Sequence, residues 1–247
     1  MIPDEFVAHL YSKANQLLID NLDSKEILRT QFFRGLNPFT VDCIRHITIF
    51  NELNIIPKRC FSCYKVSIQP RTVVELFKLM VIFGELKPPE DNARKCMVEC
   101  RQKIAGTYKG LIYCSSIDEA EDVKDWIEKL VSEEISNDIT VSIKRGCSEY
   151  AAYYPEYAQI DQDIPVMQYN EEWQKHEALF DKDYIFETQP VSFNQTSYNL
   201  NDAKVMLAWL RYAATIGDMS YLKITGKTLE PYSEYKRPTA FQSIADK

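Results

Sequence analysis

Apolar residues recur at intervals of three and four through residues 1–57, which is the spacing of one face of a helix. The pattern predicts a first helix that ends near Leu18, a second over residues 27–33 and a third that starts near Thr40. Pro57 closes the region, because proline interrupts a helix. We therefore predict an N-terminal helical layer over residues 1–57.

Further along, the pattern changes to period two, which is typical of strands. Strands are predicted over residues 64–69, 94–101, 108–115 and 139–145. An almost wholly apolar helix follows the capping residue Thr72 and extends to about residue 86, and a second helix follows the capping residue Ser116. This β-α-β-β-α-β order is that of the ferredoxin-like fold, so we predict an α+β core over residues 58–150.

The ferredoxin-like arrangement orders its strands fourth, first, third, second across the sheet, and we expect the first and third strands to run parallel. Four cysteines then fall at one end of the sheet: Cys60, Cys63, Cys100 and Cys147. Cys96 and Cys114 are expected toward the opposite end as small core residues, which is the usual role of a buried free cysteine. The predicted topology therefore separates a cluster of four thiols from a pair.

The remaining residues, 151–247, are predicted to wrap around the core. Residues 148–200 are rich in tyrosine, which indicates a segment packed over the domain rather than a free linker. Helices are predicted over residues 171–180 and 201–216, and Gly217 is placed to end the second one. The three regions together are expected to form one compact unit.

Composition indicates which partners and which cellular location are expected for the chain. The chain has 247 residues, seven cysteines and a net charge of -7, which argues against broad binding to nucleic acid or anionic membranes. No apolar run approaches the ~18 residues of a membrane span, and the first residues lack the pattern of a secretory signal. A cytoplasmic location without a membrane partner is therefore predicted. In a reducing compartment the cysteines are core residues, metal ligands or redox groups.

The four clustered cysteines predict a thiolate metal site. Cys60 and Cys63 form a C-x-x-C pair that supplies two ligands, and tetrahedral zinc or an iron–sulfur cluster needs two more. Cys147 and Cys100 are the predicted remaining ligands. Because Cys100 lies one strand further away, His46 or an exogenous ligand is an alternative for the fourth position. The leading interpretation is an intracellular binding or assembly protein that carries zinc or an iron–sulfur cluster.

Basic residues flank the same cysteines and are expected to lower thiol pKa values and to offset the charge of a thiolate centre. They are Lys58, Arg59, Lys65, Lys144 and Arg145. Lys144 and Arg145 are predicted to contact a cofactor. They also support an alternative interpretation, in which Cys147 is the nucleophile of a cysteine-dependent or group-transfer enzyme.

The open face of the sheet offers a third kind of function. Residues 108–113, Tyr-Lys-Gly-Leu-Ile-Tyr, and the helix that follows resemble the third strand and second helix of RNA-recognition motifs. The resemblance implies stacking of bases on that face. The face is expected to carry Lys65, Ser67, Gln69, Met97, Arg101, Lys109, Leu111, Tyr113 and Lys144. Because only one of these residues is aromatic, RNA is disfavoured, and we expect the C-terminal segment or a partner chain to cover the face. A metal-free structural component with a protein partner is therefore the third interpretation.

Overall fold

The computed structural model of the chain describes residues 1–19, 31–35, 43–100, 104–161, 163–184 and 198–230. They form a mixed α+β arrangement with eight α-helices and a five-stranded antiparallel sheet. The strands are β1 (Gln31–Arg34), β2 (Tyr64–Gln69), β3 (Arg94–Val98), β4 (Tyr108–Cys114) and β5 (Thr140–Arg145). The helices are α1 (Asp4–Ile19), α2 (Cys43–Leu53), α3 (Val73–Glu85), α4 (Ile117–Glu134), α5 (Ser148–Tyr153), α6 (Trp173–Asp183), α7 (Leu200–Ile216) and α8 (Leu222–Thr225). Across these described ranges, no helix combines the length and the apolar character that crossing a bilayer requires.

The sheet has the order β1-β3-β4-β2-β5, and every neighbouring pair is antiparallel. The expectation that the two central strands run parallel is wrong, because Tyr64 of β2 faces Cys114 of β4 and Ile68 faces Gly110. The physical reason lies in the connections. Helix α3 returns the chain so that β3 starts in the same direction as β2, and the connection after β3 then reverses it. Strand β4 must therefore oppose β2.

Strand β1 occupies a segment for which a helix was predicted. Residues 31–33 of the predicted helix 27–33 are extended, and residues 20–30 lie outside the described ranges. Phe32 is almost fully buried, and it pairs with Cys96 of β3 at the edge of the sheet. Half-buried and buried residues alternate along β1, which is the burial pattern of an edge strand on a covered sheet. Backbone pairing with β3 therefore overrides the local helical spacing.

Helix α3 lies in the centre of the molecule, as its apolar sequence predicts. The side chain of Thr72 accepts a hydrogen bond from the backbone N–H of Glu75 at the start of the helix. The helix contacts β3 and β4 on one side and α1 and α7 on the other, so both faces are covered. Phe77 of α3 packs edge-on against Trp209 of α7 with ring centroids 5.8 Å apart. This interior explains why α3 has almost no polar face.

The C-terminal helices are close to their predicted positions. Helix α7 begins one residue before the predicted range and ends at Gly217, whose φ of 81° is the left-handed conformation that glycine favours. Helix α6 is present near the predicted residues 171–180. The predicted polar tail lies largely in residues 231–247, outside the described ranges. Two tyrosines of the tyrosine-rich segment, Tyr150 and Tyr157, are fully buried.

A candidate thiol site at one end of the sheet

One small pocket lies at the end of the sheet where β2 begins and where β4 and β5 end. We call it the cysteine pocket, because five cysteines line its wall: Cys43, Cys60, Cys63, Cys114 and Cys147. His46, Lys65 and the aromatic rings of Tyr113 and Tyr150 also line it. The enclosed volume is about 10 Å³, close to the space that one water molecule needs.

Three of the four predicted ligands therefore lie together, and the fourth does not. The antiparallel centre of the sheet places the end of β4, and with it Cys114, beside the start of β2. Strand β3 ends at the opposite end of the sheet, where Cys100 forms a hydrogen bond with the Tyr212 hydroxyl of α7. The predicted positions of Cys100 and Cys114 are thus exchanged, because both followed from the incorrect parallel pairing. Cys96, in contrast, is fully buried in the core as predicted.

Gly146 forms the turn that places Cys147 in the wall of the pocket. Its φ is 51°, and its backbone N–H donates to the carbonyl of Cys63 at 2.7 Å. A Cβ at this position would collide with the Tyr157 hydroxyl, which itself donates to the carbonyl of Cys60 at 2.5 Å. Only glycine accommodates both the left-handed turn and this close approach. The end of β5, the C-x-x-C segment and the tyrosine-rich segment are therefore locked together.

Lys65 forms the central contact of the pocket. It lies on the face of β2 that points away from α3 and α4, and only 4% of it is exposed. Its Nζ donates to the Sγ of Cys147 at 3.2 Å and lies 5.1 Å from the centre of the Tyr113 ring. Burial by itself lowers the pKa of Lys65, but the nearby Cys147 and Cys63 thiols outweigh burial and raise the pKa well above 10.5.

The pKa of Cys147 moves in the opposite direction. Burial raises it, but the charge of Lys65 and the hydrogen bond from Lys65 outweigh burial, with further help from Lys95 and Lys144. The net result is a Cys147 pKa below the ordinary value of 9.0. Both shifts favour the same state, in which a buried ammonium faces a thiolate.

The other thiols of the pocket behave differently, since burial raises the pKa of each one. The pKa rises to about 11 for Cys43 and to about 12 for Cys114, and it also rises for Cys60 and Cys63. Cys147 is the neighbouring thiol with the largest effect on Cys43, Cys60 and Cys63 alike. Among the five cysteines of the pocket, Cys147 is therefore the one whose pKa is lowered.

The donor set suits a soft metal ion, although the side chains are not arranged around one. Zinc and iron–sulfur clusters bind thiolates, and Cys43, Cys60, Cys63 and Cys147 supply four sulfur atoms to one pocket. Within the described part of the chain, however, no three His, Cys, Asp or Glu side chains are positioned to hold a metal ion as they stand. Metal binding would therefore require the thiols to move closer together.

Lys144 and Arg145, the predicted cofactor contacts, point to different places. The Nζ of Lys144 donates to the Oγ of Ser148 at 3.3 Å, near enough to Cys147 and Cys63 to lower the pKa of both. The guanidinium of Arg145 instead donates to the carbonyls of Phe61 and Met167. Arg145 is 6% exposed and is not part of the pocket wall. Its contacts hold chain segments together.

Cys43 lines the pocket and carries no signal in the sequence. Cys43 is the first residue of α2, which lies outside the strand-and-helix pattern that located the other cysteines. Helix α2 is held in place by an ion pair between Arg45 and Asp181 of α6 and by packing of Phe50 on Tyr150. These are long-range contacts, so Cys43 could not be assigned to the pocket from the pattern alone, whereas Tyr150 belongs to the segment 146–150 after the fourth predicted strand, where a ligand-facing loop was expected.

The sheet face that resembles an RNA-binding surface is largely buried. Six of its predicted residues are buried, namely Lys65, Ser67, Met97, Lys109, Leu111 and Tyr113. Gln69 and Lys144 are half-buried, and Arg101 lies outside the described residues. Stacking of bases needs accessible aromatic faces, so this burial counts against the RNA interpretation.

Comparison with protein-family models, with curated proteins and with solved structures finds no match to this chain. The chemistry of the cysteine pocket therefore carries the functional conclusion.

Proposed function

We propose that this chain is a cysteine-dependent enzyme whose nucleophile is the Cys147 thiolate. The observation that carries the proposal is the 3.2 Å contact between the Nζ of Lys65 and the Sγ of Cys147 inside the cysteine pocket. A thiolate, and not a thiol, is the form of cysteine that attacks electrophiles. A positive charge held against the sulfur is the usual way in which a protein maintains that form at neutral pH.

The burial of Lys65 makes the contact chemically informative. A buried ammonium requires a nearby anion, because the cost of removing its charge from water is otherwise several kcal/mol. Cys147 accepts a hydrogen bond from Lys65, and the charges that act most on the Lys65 pKa are those of Cys147, Cys63, Tyr113 and Cys43, with no carboxylate among them. The thiolate of Cys147 is therefore the counter-ion that the buried ammonium needs.

Selective alkylation tests this proposal. Brief treatment of the native protein with iodoacetamide at about neutral pH, followed by peptide mass spectrometry, should label Cys147 ahead of the other cysteines. Lys65→Met should slow labelling of Cys147 roughly tenfold, since one pKa unit changes the thiolate fraction by that factor. The matched control is Lys78→Met, which removes another buried lysine that pairs with Asp4 on the far side of α3.

The control should leave the labelling rate unchanged. The proposal is wrong if Cys147 reacts no faster in the native protein than in urea-unfolded protein, where Lys65 is no longer held against it. It is equally wrong if Lys65→Met and Lys78→Met have the same effect on the rate.

A second candidate function is the thiolate metal site predicted from the sequence, and the sharing of one pocket by four cysteines favours it. The ligand set becomes Cys43, Cys60, Cys63 and Cys147, so Cys43 takes the place of Cys100. Lys65 would offset part of the negative charge of bound zinc or of an iron–sulfur cluster. On this reading the chain is a binding or assembly protein and not an enzyme.

Elemental analysis and the visible spectrum of anaerobically purified protein distinguish the two candidates. The metal site predicts one zinc or one cluster per chain, lost in Cys63→Ser but retained in the control Cys96→Ser. It also predicts that Cys147 resists iodoacetamide until a chelator is added, because a bound metal occupies the thiolate. This candidate is wrong if the purified protein contains no metal and the chelator does not change the rate at which iodoacetamide labels Cys147.

We also propose a fold type, a cellular location and a partner for this chain. We propose that β2, β3, β4 and β5 with α3 and α4 form a ferredoxin-like unit, supported by the neighbour order β3-β4-β2-β5 within the sheet. A cytoplasmic location would keep the seven thiols reduced. A protein partner is proposed for the tyrosine-rich segment, where Tyr153 is 56% exposed.

A further inference from the structure

We propose that the outer edge of β5 is a binding site for a second copy of this chain. The β5 strands of the two copies pair antiparallel about a two-fold axis and join the two sheets into one. This inference goes beyond the proposed function and does not depend on the cysteine pocket, because it rests on the edge of the sheet alone.

The hydrogen bond of Gly146 shows which backbone groups of β5 point outward. Strand β5 is the last strand on its side of the sheet, and its inner side pairs with β2. The backbone N–H of Gly146 donates to the carbonyl of Cys63, which directly precedes β2, so Gly146 points toward β2. Consecutive residues of a strand alternate in this direction. The backbone groups of Ser142 therefore also point toward β2, whereas those of Val141 and Ile143 point away from it.

The outward backbone groups of Val141 and Ile143 are open to a partner. Apart from the ladder with β2, no hydrogen bond among the described residues involves the backbone of either one. Ile143 is half-buried and Thr140 is exposed, so solvent reaches this edge. The opposite edge differs, since α7 contacts β1 there and Asp202 of α7 pairs with Arg34. An open row of backbone donors and acceptors is a template for a further strand.

The sequence of β5 indicates that this further strand is β5 of a second copy. Residues 140–144 read Thr-Val-Ser-Ile-Lys, which is symmetric in chemical type about Ser142. In a two-fold pairing about Ser142, Val141 of each copy faces Ile143 of the other, and Thr140 faces Lys144. Pairs of β-branched residues on neighbouring strands stabilise a sheet. The same register keeps the two Lys144 ammoniums at opposite ends of the contact, so they do not repel at close range.

This register also satisfies the open backbone groups. Val141 of each copy exchanges N–H···O bonds in both directions with Ile143 of the other, because both residues point outward. Their side chains lie on the helix-covered face of the sheet, since they face Ile68 and Val66 of the core. Ile143 is only half-buried in the single chain, so pairing removes more of its apolar surface from water.

Sedimentation velocity of the full chain, reduced and treated with a chelator, tests for the second copy. The contact is small, and small interfaces are weak, so the wild type should shift from monomer to dimer between about 1 µM and about 300 µM chain. Ser142→Lys sets two ammoniums face to face at the axis and should weaken the dimer at least about tenfold. The matched control Ser12→Lys makes the same change at an exposed position of α1 and should behave as the wild type.

A cysteine at the axis tests the register without a charge. Ser142 of the two copies forms a non-hydrogen-bonded pair, whose Cα atoms lie about 4.5 Å apart, within the range of a disulfide. Mild oxidation of Ser142→Cys, followed by mass mapping without reductant, should find position 142 linked to position 142 of the second copy. In the control Thr140→Cys, the new thiol faces Lys144 and should not link to its own copy.

Three results would overturn the proposal. If the wild type is a monomer at every concentration, no second copy binds this edge. If Ser142→Lys and Ser12→Lys dimerise equally well, the contact between copies lies elsewhere. If positions 140 and 142 cross-link to themselves equally, the register is wrong. Circular dichroism checks that each variant is folded, and the map of Ser142→Cys decides the question if Ser142→Lys does not fold.

Discussion

Two buried lysines lie on the same face of the sheet, one toward each end. Lys65 is 4% exposed and Lys109 is 5% exposed. The Nζ of Lys109 lies 3.4 Å from a carboxylate oxygen of Glu99, whose side chain is 2% exposed. The Nζ of Lys65 lies 3.2 Å from the Sγ of Cys147. The backbone setting is the same, and the chemical nature of the counter-ion is different.

This difference separates a structural ion pair from an adjustable one. The two acceptors differ in ordinary acidity, since a glutamate carboxyl has a pKa of about 4.3, far below that of a cysteine thiol. The thiol of Cys147 has an ordinary pKa of 9.0, so its charge at neutral pH depends on Lys65. The same placement of a lysine therefore supports stability at one end of the sheet and reactivity at the other.

The largest expected effect is on stability. Lys109→Met removes this contact of the buried Glu99 carboxylate and should lower the free energy of unfolding by about 1–3 kcal/mol. Lys65→Met should cost about 1 kcal/mol or less, because Cys147 can keep its proton and become neutral. Urea unfolding of both variants at neutral pH measures the difference. If both variants lose the same free energy of unfolding, the contact between Lys65 and Cys147 is a structural ion pair like that of Lys109 and Glu99.

A smaller effect is expected from pH. The pKa of Cys147 is lowered by folding, so its contribution to stability grows as the pH rises through that lowered value and is complete above 9.0. The pKa of Lys65 is raised, so its contribution is lost only as the pH rises beyond 10.5 through the raised value. The free energy of unfolding of the wild type should therefore gain roughly 1–2 kcal/mol over Lys65→Met between neutral pH and 9.0.

Urea unfolding of both proteins across this pH range measures the gain. If the stability difference between the wild type and Lys65→Met does not change with pH, Cys147 is not ionised by Lys65 and the comparison of the two lysines fails.

The smallest effect is expected at Lys144. Its charge also lowers the pKa of Cys147, but Lys144 is half-buried and its Nζ donates to Ser148. Solvent screening weakens such an interaction, so Lys144→Met should slow iodoacetamide labelling of Cys147 by less than about threefold. If Lys144→Met slows labelling as much as Lys65→Met does, the pKa of Cys147 depends on nearby positive charge in general and not on the Lys65 contact.

Much of the local structure was predictable from the pattern of apolar residues. Strand β2 matches its predicted residues 64–69, and α7 begins one residue away from its predicted start. The capping residues Thr72 and Ser116 both accept the expected backbone hydrogen bonds. These features depend on neighbours three or four residues away, so a local pattern contains the information they require.

The candidate site was predictable only in part. Cys60, Cys63 and Cys147 were placed together, because the outer strand β5 lies antiparallel to β2 as expected. Cys100 was placed at the wrong end, because the direction of β4 relative to β2 was wrong. One reversed strand therefore exchanged two cysteines between the ends of the sheet.

The sequence by itself determined most of the helices and strands, with β1 as an exception, and the presence of cysteines beside basic residues, since both follow from spacing and composition. Only the tertiary structure decided which lysine meets which thiol. Lys65 and Cys147 are far apart along the chain, and their contact depends on strand direction, on the left-handed turn at Gly146 and on burial of the ammonium. The pKa of a thiol responds to the charges and the solvent around it in space, and these are properties of the packed fold.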